Sequence, residues 1–159
     1  MDRSTFVYVT YIRTTPARLW SALTDDVEFM KEYWFGNHCE SQWKAGSPWK
    51  LVSESGDILD AGEIVEADPP RRLVIRWLHQ KRAELAAEGA SLCTIELEPV
   101  GEAVKLSITH SIERKPSQLI DAVSGGWPKI LSNLKSLLET GSLVLKEPYP
   151  TASTHSGRG

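Results

Sequence analysis

The segment SLCTIELEPVGEAVKLSITHSIE (residues 91–113), followed by PSQLIDAVSGGWPKILSNLKSLLETG (residues 116–141), decides the fold. In the first segment apolar and polar side chains alternate on both sides of the Val100-Gly101-Glu102 connection, which predicts an antiparallel hairpin. In the second, apolar residues recur at three- and four-residue steps, which predicts a long amphipathic helix. Since the dry sheet face and the apolar helix stripe need a partner, we expect the helix to lie across the sheet.

The residues before the hairpin add further strands and two short helices. TFVYVTYIR (residues 5–13) is rich in β-branched and aromatic side chains and predicts a strand, after which ARLWSAL and VEFMKEYW predict the helices. Four more segments predict strands: HCESQW (38–43), WKLVSES (49–55), ILDAGEIVEA (58–67) and RRLVIRWLH (71–79). The intervening KRAELAAEGA (81–90) favours a loop with about two helical turns, and its residues 81–88 are a candidate lid.

The predicted fold class is therefore α+β, with an antiparallel sheet of about six or seven strands and a long C-terminal helix across its dry face. Residues 1–145 form one predicted domain. Residues 146–159 are rich in proline, serine and glycine, and we expect them to form a flexible tail.

Four stretches of the sequence carry a resemblance to a known family. They are YVTYIRTTPARLWSALTD (8–25) with YWFG (33–36) after it, GEIVEADPPRRLVIRW (62–77), TIELEPVGEAVKLSITHS (94–111) and GGWPKILSNLKSLLETG (125–141). In this order they resemble the START-like (SRPBCC) superfamily, in the branch named after the ATPase activator of heat-shock protein 90. The resemblance implies a START-like helix-grip fold, a curved antiparallel sheet of about six or seven strands around the long C-terminal helix. Many members of the superfamily hold an apolar small molecule between sheet and helix.

Composition and charge exclude several classes of partner. The net charge is −3, no lysine- or arginine-rich run stands out, and no apolar stretch is long enough to span a membrane. We therefore expect no nucleic-acid partner and no membrane span. Cys39 and Cys93 lack metal-type spacing and fit two buried thiols in a cytoplasmic protein.

The candidate site consists of side chains that the predicted pleat and the helix stripe turn inward. Trp77 and His110 end apolar alternations, so each is either a core residue or part of a cavity wall. Trp127 follows Gly125 and Gly126, which we expect to allow close approach of the helix to the sheet. The predicted cavity-lining residues are Trp34, Trp49, Ile75, Trp77, Ile95, Ile108, His110, Val123, Trp127 and Ile130.

Three functions remain open, because this fold hosts binders, cyclases and chaperone regulators alike. The first is a cytoplasmic protein that binds a small apolar ligand of lipid, polyketide or aromatic type. The second is a cyclase- or dehydratase-type enzyme that uses His110 as general acid or base. The third is a partner-binding protein resembling the chaperone activators or acting in a stress response, although the eukaryotic activators carry an additional N-terminal domain.

We expect a binder rather than an enzyme, because the sequence has no nucleophile elbow, phosphate loop or dinucleotide motif. No cofactor and no metal site are predicted. A monomer or a homodimer is compatible with the pattern.

Overall fold

The computed structural model describes residues 3–146, which form seven strands and four helices. The predicted flexible tail lies, apart from its first residue, outside the described residues. The strands are β1 (Ser4–Ile12), β2 (His38–Ser41), β3 (Pro48–Val52), β4 (Ile58–Asp68), β5 (Arg72–His79), β6 (Ser91–Val100) and β7 (Ala103–Ile112). The helices are α1 (Pro16–Leu23), α2 (Val27–Tyr33), α3 (Ala83–Ala86) and α4 (Gln118–Thr140).

All seven strands pair antiparallel in one curved sheet of order β1-β7-β6-β5-β4-β3-β2. Each strand from β2 to β7 lies beside its neighbour in sequence, while β1 pairs with β7 at the far edge. The helices α1 and α2 follow β1, and α4 packs against β1, β7 and α2. This is the α+β helix-grip architecture that the sequence predicts, with seven strands.

The helix boundaries follow from local capping. The Thr15 hydroxyl accepts from the Arg18 N–H at 3.1 Å and Pro16 occupies the first helical position of α1. The Ser117 hydroxyl accepts from the Ile120 N–H at 3.1 Å and begins α4, which ends at Gly141 in the left-handed conformation, with φ 84°.

The core lies between the inner face of the sheet and α4. Strand β7 alternates strictly, with its even-numbered residues from Val104 to Ile112 buried. Strands β5 and β6 turn Leu73, Ile75 and Cys93 into the same cluster, and α4 adds Trp127, Leu131, Leu134 and Leu137. The expected facing of these strands is therefore observed.

The segment between β5 and β6 differs from expectation in its helix content. In place of about two helical turns it contains the four-residue helix α3, with Leu85 only 2% exposed. Glu88 follows α3 and accepts hydrogen bonds from the start of α4, at 2.6 Å from the Ser117 hydroxyl and 2.7 Å from the Gln118 N–H. The segment is thus tied to the long helix.

A small tryptophan-walled cavity

A cavity of about 180 Å³ lies between the sheet and the first half of α4. Strands β3, β4 and β5 form one wall, α3 lies on one side and Trp34, at the end of α2, on another, and the cavity is partly open to solvent. The lining is mainly apolar. Its residues are Trp34, Leu51, Asp60, Trp77, His79, Leu85, Leu119, Ala122, Val123, Gly126, Trp127 and Ile130.

Three of the lining residues are tryptophans, and the ring of Trp127 contacts each of the other two. The ring centroids of Trp34 and Trp127 are 5.7 Å apart, and those of Trp77 and Trp127 are 5.8 Å apart in an edge-on arrangement. Such geometries are favourable for aromatic pairs. The three indoles therefore pack together as one wall of the cavity, and empty space remains beside them.

Trp49 stands next to this wall rather than in it. It is fully buried and its ring centroid is 4.4 Å from that of Trp77. The register places Gly62 of β4 between these two residues, opposite both. Because glycine has no side chain, the two indoles meet over β4; a Cβ at this position would also lie 1.8 Å from the Arg76 carbonyl oxygen.

His110 lies outside the cavity in a closed hydrogen-bond network. Its Nδ1 accepts from the Trp127 indole N–H at 3.2 Å, and its Nε2 is 2.8 Å from the Ser91 hydroxyl oxygen. Since an indole nitrogen only donates, Nδ1 carries no proton and the ring is neutral with the proton on Nε2. Burial lowers the pKa of His110 to about 4, which keeps this form at neutral pH.

A second polar pair does line the cavity. His79 is the last residue of β5, and Asp60 lies directly opposite it on β4. His79 Nδ1 and Asp60 Oδ1 are 2.6 Å apart. Burial raises the pKa of Asp60, while the charge of His79 and hydrogen bonds from Trp77 and His79 limit the rise. A carboxylate that holds an imidazole in this way fixes its orientation and makes the other ring nitrogen a base or acceptor.

Of the ten predicted lining residues, five reach the cavity and five do not. Trp34, Trp77, Val123, Trp127 and Ile130 are on its wall. Trp49, Ile75, Ile95, Ile108 and His110 are buried beside or behind it in the core. Inward facing alone thus does not distinguish a cavity wall from the packed interior.

Asp60 and His79 were not among the predicted lining residues, although the sequence contains a signal for each. Alternate residues of a strand share a face, so Gly62 and Asp60 lie on the same inner face of β4 as Ile64. His79 follows Leu73, Ile75 and Trp77 on the inner face of β5. What the pattern lacks is the register that sets one opposite the other.

Gly125 and Gly126 do not have the role expected of them. A Cβ at either position would meet no atom within 4 Å, so neither glycine allows a close approach of the helix to the sheet. Gly126 instead borders the cavity. Its missing side chain leaves room there.

Other features of the described residues narrow the chemistry. A wider groove of about 740 Å³ lies along α2 and β2–β3, but charged side chains such as Glu28, Lys31 and Glu40 line it. Within residues 3–146 no cluster of three or more histidine, cysteine, aspartate or glutamate side chains is placed to hold a metal ion. None of the described helices is long and apolar enough to cross a membrane.

These features define a class of protein: a helix-grip domain with a small aromatic cavity under its C-terminal helix. The sheet order, the position of α4 and the helix pair after β1 together make up that class. The chain belongs to the family described as Activator of Hsp90 ATPase homolog 1-like protein, whose family model matches residues 13–139. The resemblance that the sequence carries is confirmed.

Solved structures show the same fold at low sequence identity. An HSP90 activator from Plasmodium falciparum is 23% identical, with a TM-score of 0.68 over 84% of this chain and 95% of that chain. The Aha1 dimer from Colwellia psychrerythraea is 20% identical, with a TM-score of 0.69 over 87% and 98%. CalU16 from Micromonospora echinospora is 20% identical, with a TM-score of 0.68 over 86% and 77%.

At these identities the likeness shows the fold alone. A comparison with curated proteins finds no significant match.

Proposed function

We propose that this protein is a cytoplasmic binder of a small apolar molecule with about the dimensions of a single aromatic ring. The observation that carries the proposal is the cavity of about 180 Å³ walled by Trp34, Trp77 and Trp127. Pockets for drug-sized ligands have about 300–1,000 Å³, whereas a cavity of about 150 Å³ accommodates benzene. Size therefore favours the aromatic member of the three expected ligand types over lipids and polyketides.

The chemistry of the wall supports the same choice. Indole rings offer flat apolar faces and edges, and aromatic ligands stack on them favourably. The two cysteines, Cys39 and Cys93, are buried and free, which fits the proposed cytoplasmic location.

Isothermal titration with p-xylene, supported by native mass spectrometry, tests this proposal. We expect saturable binding of one molecule per chain and quenching of tryptophan fluorescence, because three of the six indoles surround the ligand. A protein that takes up neither p-xylene nor any other one-ring aromatic compound does not have this function.

In the enzyme alternative, His79 replaces His110 as the candidate general acid or base. His110 is fully buried and both of its ring nitrogens are bonded within the core, so a substrate in the cavity does not reach it. The titratable groups that line the cavity are His79 and Asp60, and His79, oriented by Asp60, is the candidate general base. Turnover of a bound aromatic compound that His79→Phe abolishes would establish an enzyme.

A second candidate function is binding of a protein partner through the outer face of the sheet. Val7, Val9 and Tyr11 form an apolar row on the edge strand β1 and are 45–58% exposed. Exposed apolar rows of this kind are typical of interaction surfaces. The family match makes a chaperone ATPase the first partner to test.

The test compares Val9→Lys with Val144→Lys, which changes an equally apolar exposed residue away from β1. This function is supported if the unchanged protein and Val144→Lys stimulate the ATPase of heat-shock protein 90 and Val9→Lys does not. Absence of stimulation by the unchanged protein would dismiss it.

A further inference from the structure

The Asp60–His79 pair is the polar element of an otherwise apolar cavity, and the cavity function leaves it unexplained. The Asp60 side chain is 7% exposed, so this carboxyl group is held in the interior rather than in solvent. Burying a carboxyl group is costly unless hydrogen bonds compensate for it. Its known compensation comes from His79 and Trp77.

The pair offers acceptors that the protein itself does not use fully. When Asp60 is ionised and His79 is neutral, the proton between the two side chains is on His79 Nδ1, so Nε2 has a lone pair. Nε2 is buried and has no hydrogen-bond partner within the described residues. The carboxylate is a further acceptor, since its two oxygens together provide about four lone-pair sites.

The wall also lacks positive charge. None of the cavity-lining residues is a lysine or an arginine. An anionic ligand would therefore meet the Asp60 carboxylate without a lysine or arginine to balance the two negative charges. A hydrocarbon ligand would fit the indoles but would leave the acceptors of the pair without a partner.

We propose that the Asp60–His79 pair anchors the polar end of the ligand, and that the ligand is a small neutral aromatic molecule with one hydrogen-bond donor, of the phenol class. The inference rests on the cavity function proposed above and specifies it. The ring packs among Trp34, Trp77 and Trp127, and the hydroxyl group donates to the pair. The site then selects against both hydrocarbons and carboxylates of the same shape.

Three probes that differ in one group test the anchor. They are p-cresol, p-xylene and p-toluate, which place a hydroxyl, a methyl and a carboxylate group on the same methylbenzene ring. Affinities are measured by isothermal titration for the unchanged protein, for His79→Phe and for His38→Phe. His38 is a matched control, because its Nε2 is 2.8 Å from Glu40 Oε2 in a similar pair outside the cavity.

The quantity that decides is the preference for p-cresol over p-xylene. We expect His79→Phe to reduce this preference roughly tenfold, the contribution of one buried hydrogen bond, and His38→Phe to leave it unchanged. We expect p-toluate not to bind measurably. An unchanged preference in His79→Phe, or p-toluate binding as tightly as p-cresol, overturns the anchor.

The outcomes separate the two proposals. If p-xylene and p-cresol bind and the preference is insensitive to His79, the cavity function stands and the anchor is wrong. If no probe binds, both are wrong.

A crystal structure of the unchanged protein with p-cresol tests the anchor even if His79→Phe does not fold. The anchor requires the hydroxyl oxygen within hydrogen-bond distance of Asp60 or His79. A ring bound with its hydroxyl group turned away from the pair refutes it.

Discussion

At the scale of single residues, His110 shows how a polar group is accommodated in an apolar interior. Trp127 donates to one ring nitrogen and Ser91 bonds the other, so the neutral ring satisfies both neighbours. Protonation would place an N–H on Nδ1 facing the indole N–H. The neutral state is therefore part of the packing between β7 and α4.

This arrangement predicts a loss of stability between pH 6.5 and about pH 4. The folded pKa of His110, about 4, lies below the unfolded value of 6.5, so in this window the unfolded chain binds a proton that the folded chain does not. Stability is fully present above pH 6.5 and falls as the pH decreases, by roughly 3 kcal/mol in total.

Urea unfolding of the unchanged protein and of His110→Gln at intervals across the window measures this effect. The glutamine amide can replace both hydrogen bonds but does not titrate. The difference between the two proteins therefore isolates His110. A difference that stays constant from pH 7 to pH 4 would contradict the assignment.

Gly62 is the second residue on which the site depends. A Cβ there would lie 1.8 Å from the Arg76 carbonyl oxygen, and backbone atoms cannot yield as a flexible side chain can. We expect Gly62→Ala to destabilise the protein by at least about 2 kcal/mol and to disturb the Trp49–Trp77 contact. Thermal unfolding checks the first effect, with Gly125→Ala, which meets open space, as control. Equal melting temperatures for the two variants would contradict it.

Single residues also mark the limit of sequence reasoning. The alternation in β5 and β7 was enough to turn Trp77 and His110 inward. It was not enough to separate their roles, because both are inward and only Trp77 reaches empty space. That difference depends on how α4 is seated, which strand periodicity does not contain.

At the scale of elements, the start of α4 depends on a side chain from another part of the chain. Burial raises the pKa of Glu88, but hydrogen bonds from the Ser117 hydroxyl and the N–H groups of Gln118 and Leu119 outweigh it, and the net pKa is lowered. The Glu88 carboxylate therefore caps the N-terminus of α4. This cap lies next to the cavity, since Leu85 and Leu119 are on the cavity wall. A negative charge is favourable at this helix end.

We expect Glu88→Ala to lower the free energy of unfolding by about 1–2 kcal/mol, the usual effect of a lost helix cap. Chemical denaturation at neutral pH measures it. Glu84→Ala is the control, since Glu84 is exposed and its carboxylate bonds the nearby Arg82 side chain and its own backbone N–H rather than the start of α4. A loss for Glu84→Ala equal to that for Glu88→Ala would contradict the capping role.

The middle of α4 provides a test of the cavity that leaves the rest of the core in place. Gly126 borders the cavity and has open space beside it, so Gly126→Leu should fill the cavity while raising stability through better helix propensity. We expect p-xylene affinity to fall at least roughly tenfold, the equivalent of about 1.4 kcal/mol. Gly125→Leu, one residue away and outside the cavity wall, should bind as the unchanged protein does. Equal binding by the two variants would contradict the location of the site.

Element existence was predictable because periodicity is a local property. The hairpin β6–β7 and α4 were predicted from alternation and helical spacing, and they are observed as such. The length of α3 was overestimated. Leu85 is its one buried residue, and four residues are too few to show a helical periodicity.

At the scale of the whole molecule, the helix-grip arrangement determines where empty space can form. Seven strands curve around α4, and the second half of that helix packs into the core through Leu131, Leu134 and Leu137. The first half stands over β4 and β5 with Gly126 facing the gap. The cavity therefore lies at one end of the fold, and its size is set by the tryptophans around it.

The succession of strands and helices along the chain, and the presence of an interior between sheet and helix, were predictable from the sequence and from the family resemblance. The volume of that interior was not, because it is the small difference between the space enclosed by the backbone and the space filled by side chains.

The most direct test of the central claim, that a one-ring aromatic molecule binds among these indoles, is a ¹H–¹⁵N NMR titration with p-cresol that follows the six tryptophan indole signals. We predict saturable shifts of the Trp34, Trp77 and Trp127 signals at one equivalent of bound ligand, and none for Trp20 and Trp43, which are not on the wall. Signals that do not move, or shifts that are largest for Trp20 and Trp43, would contradict it.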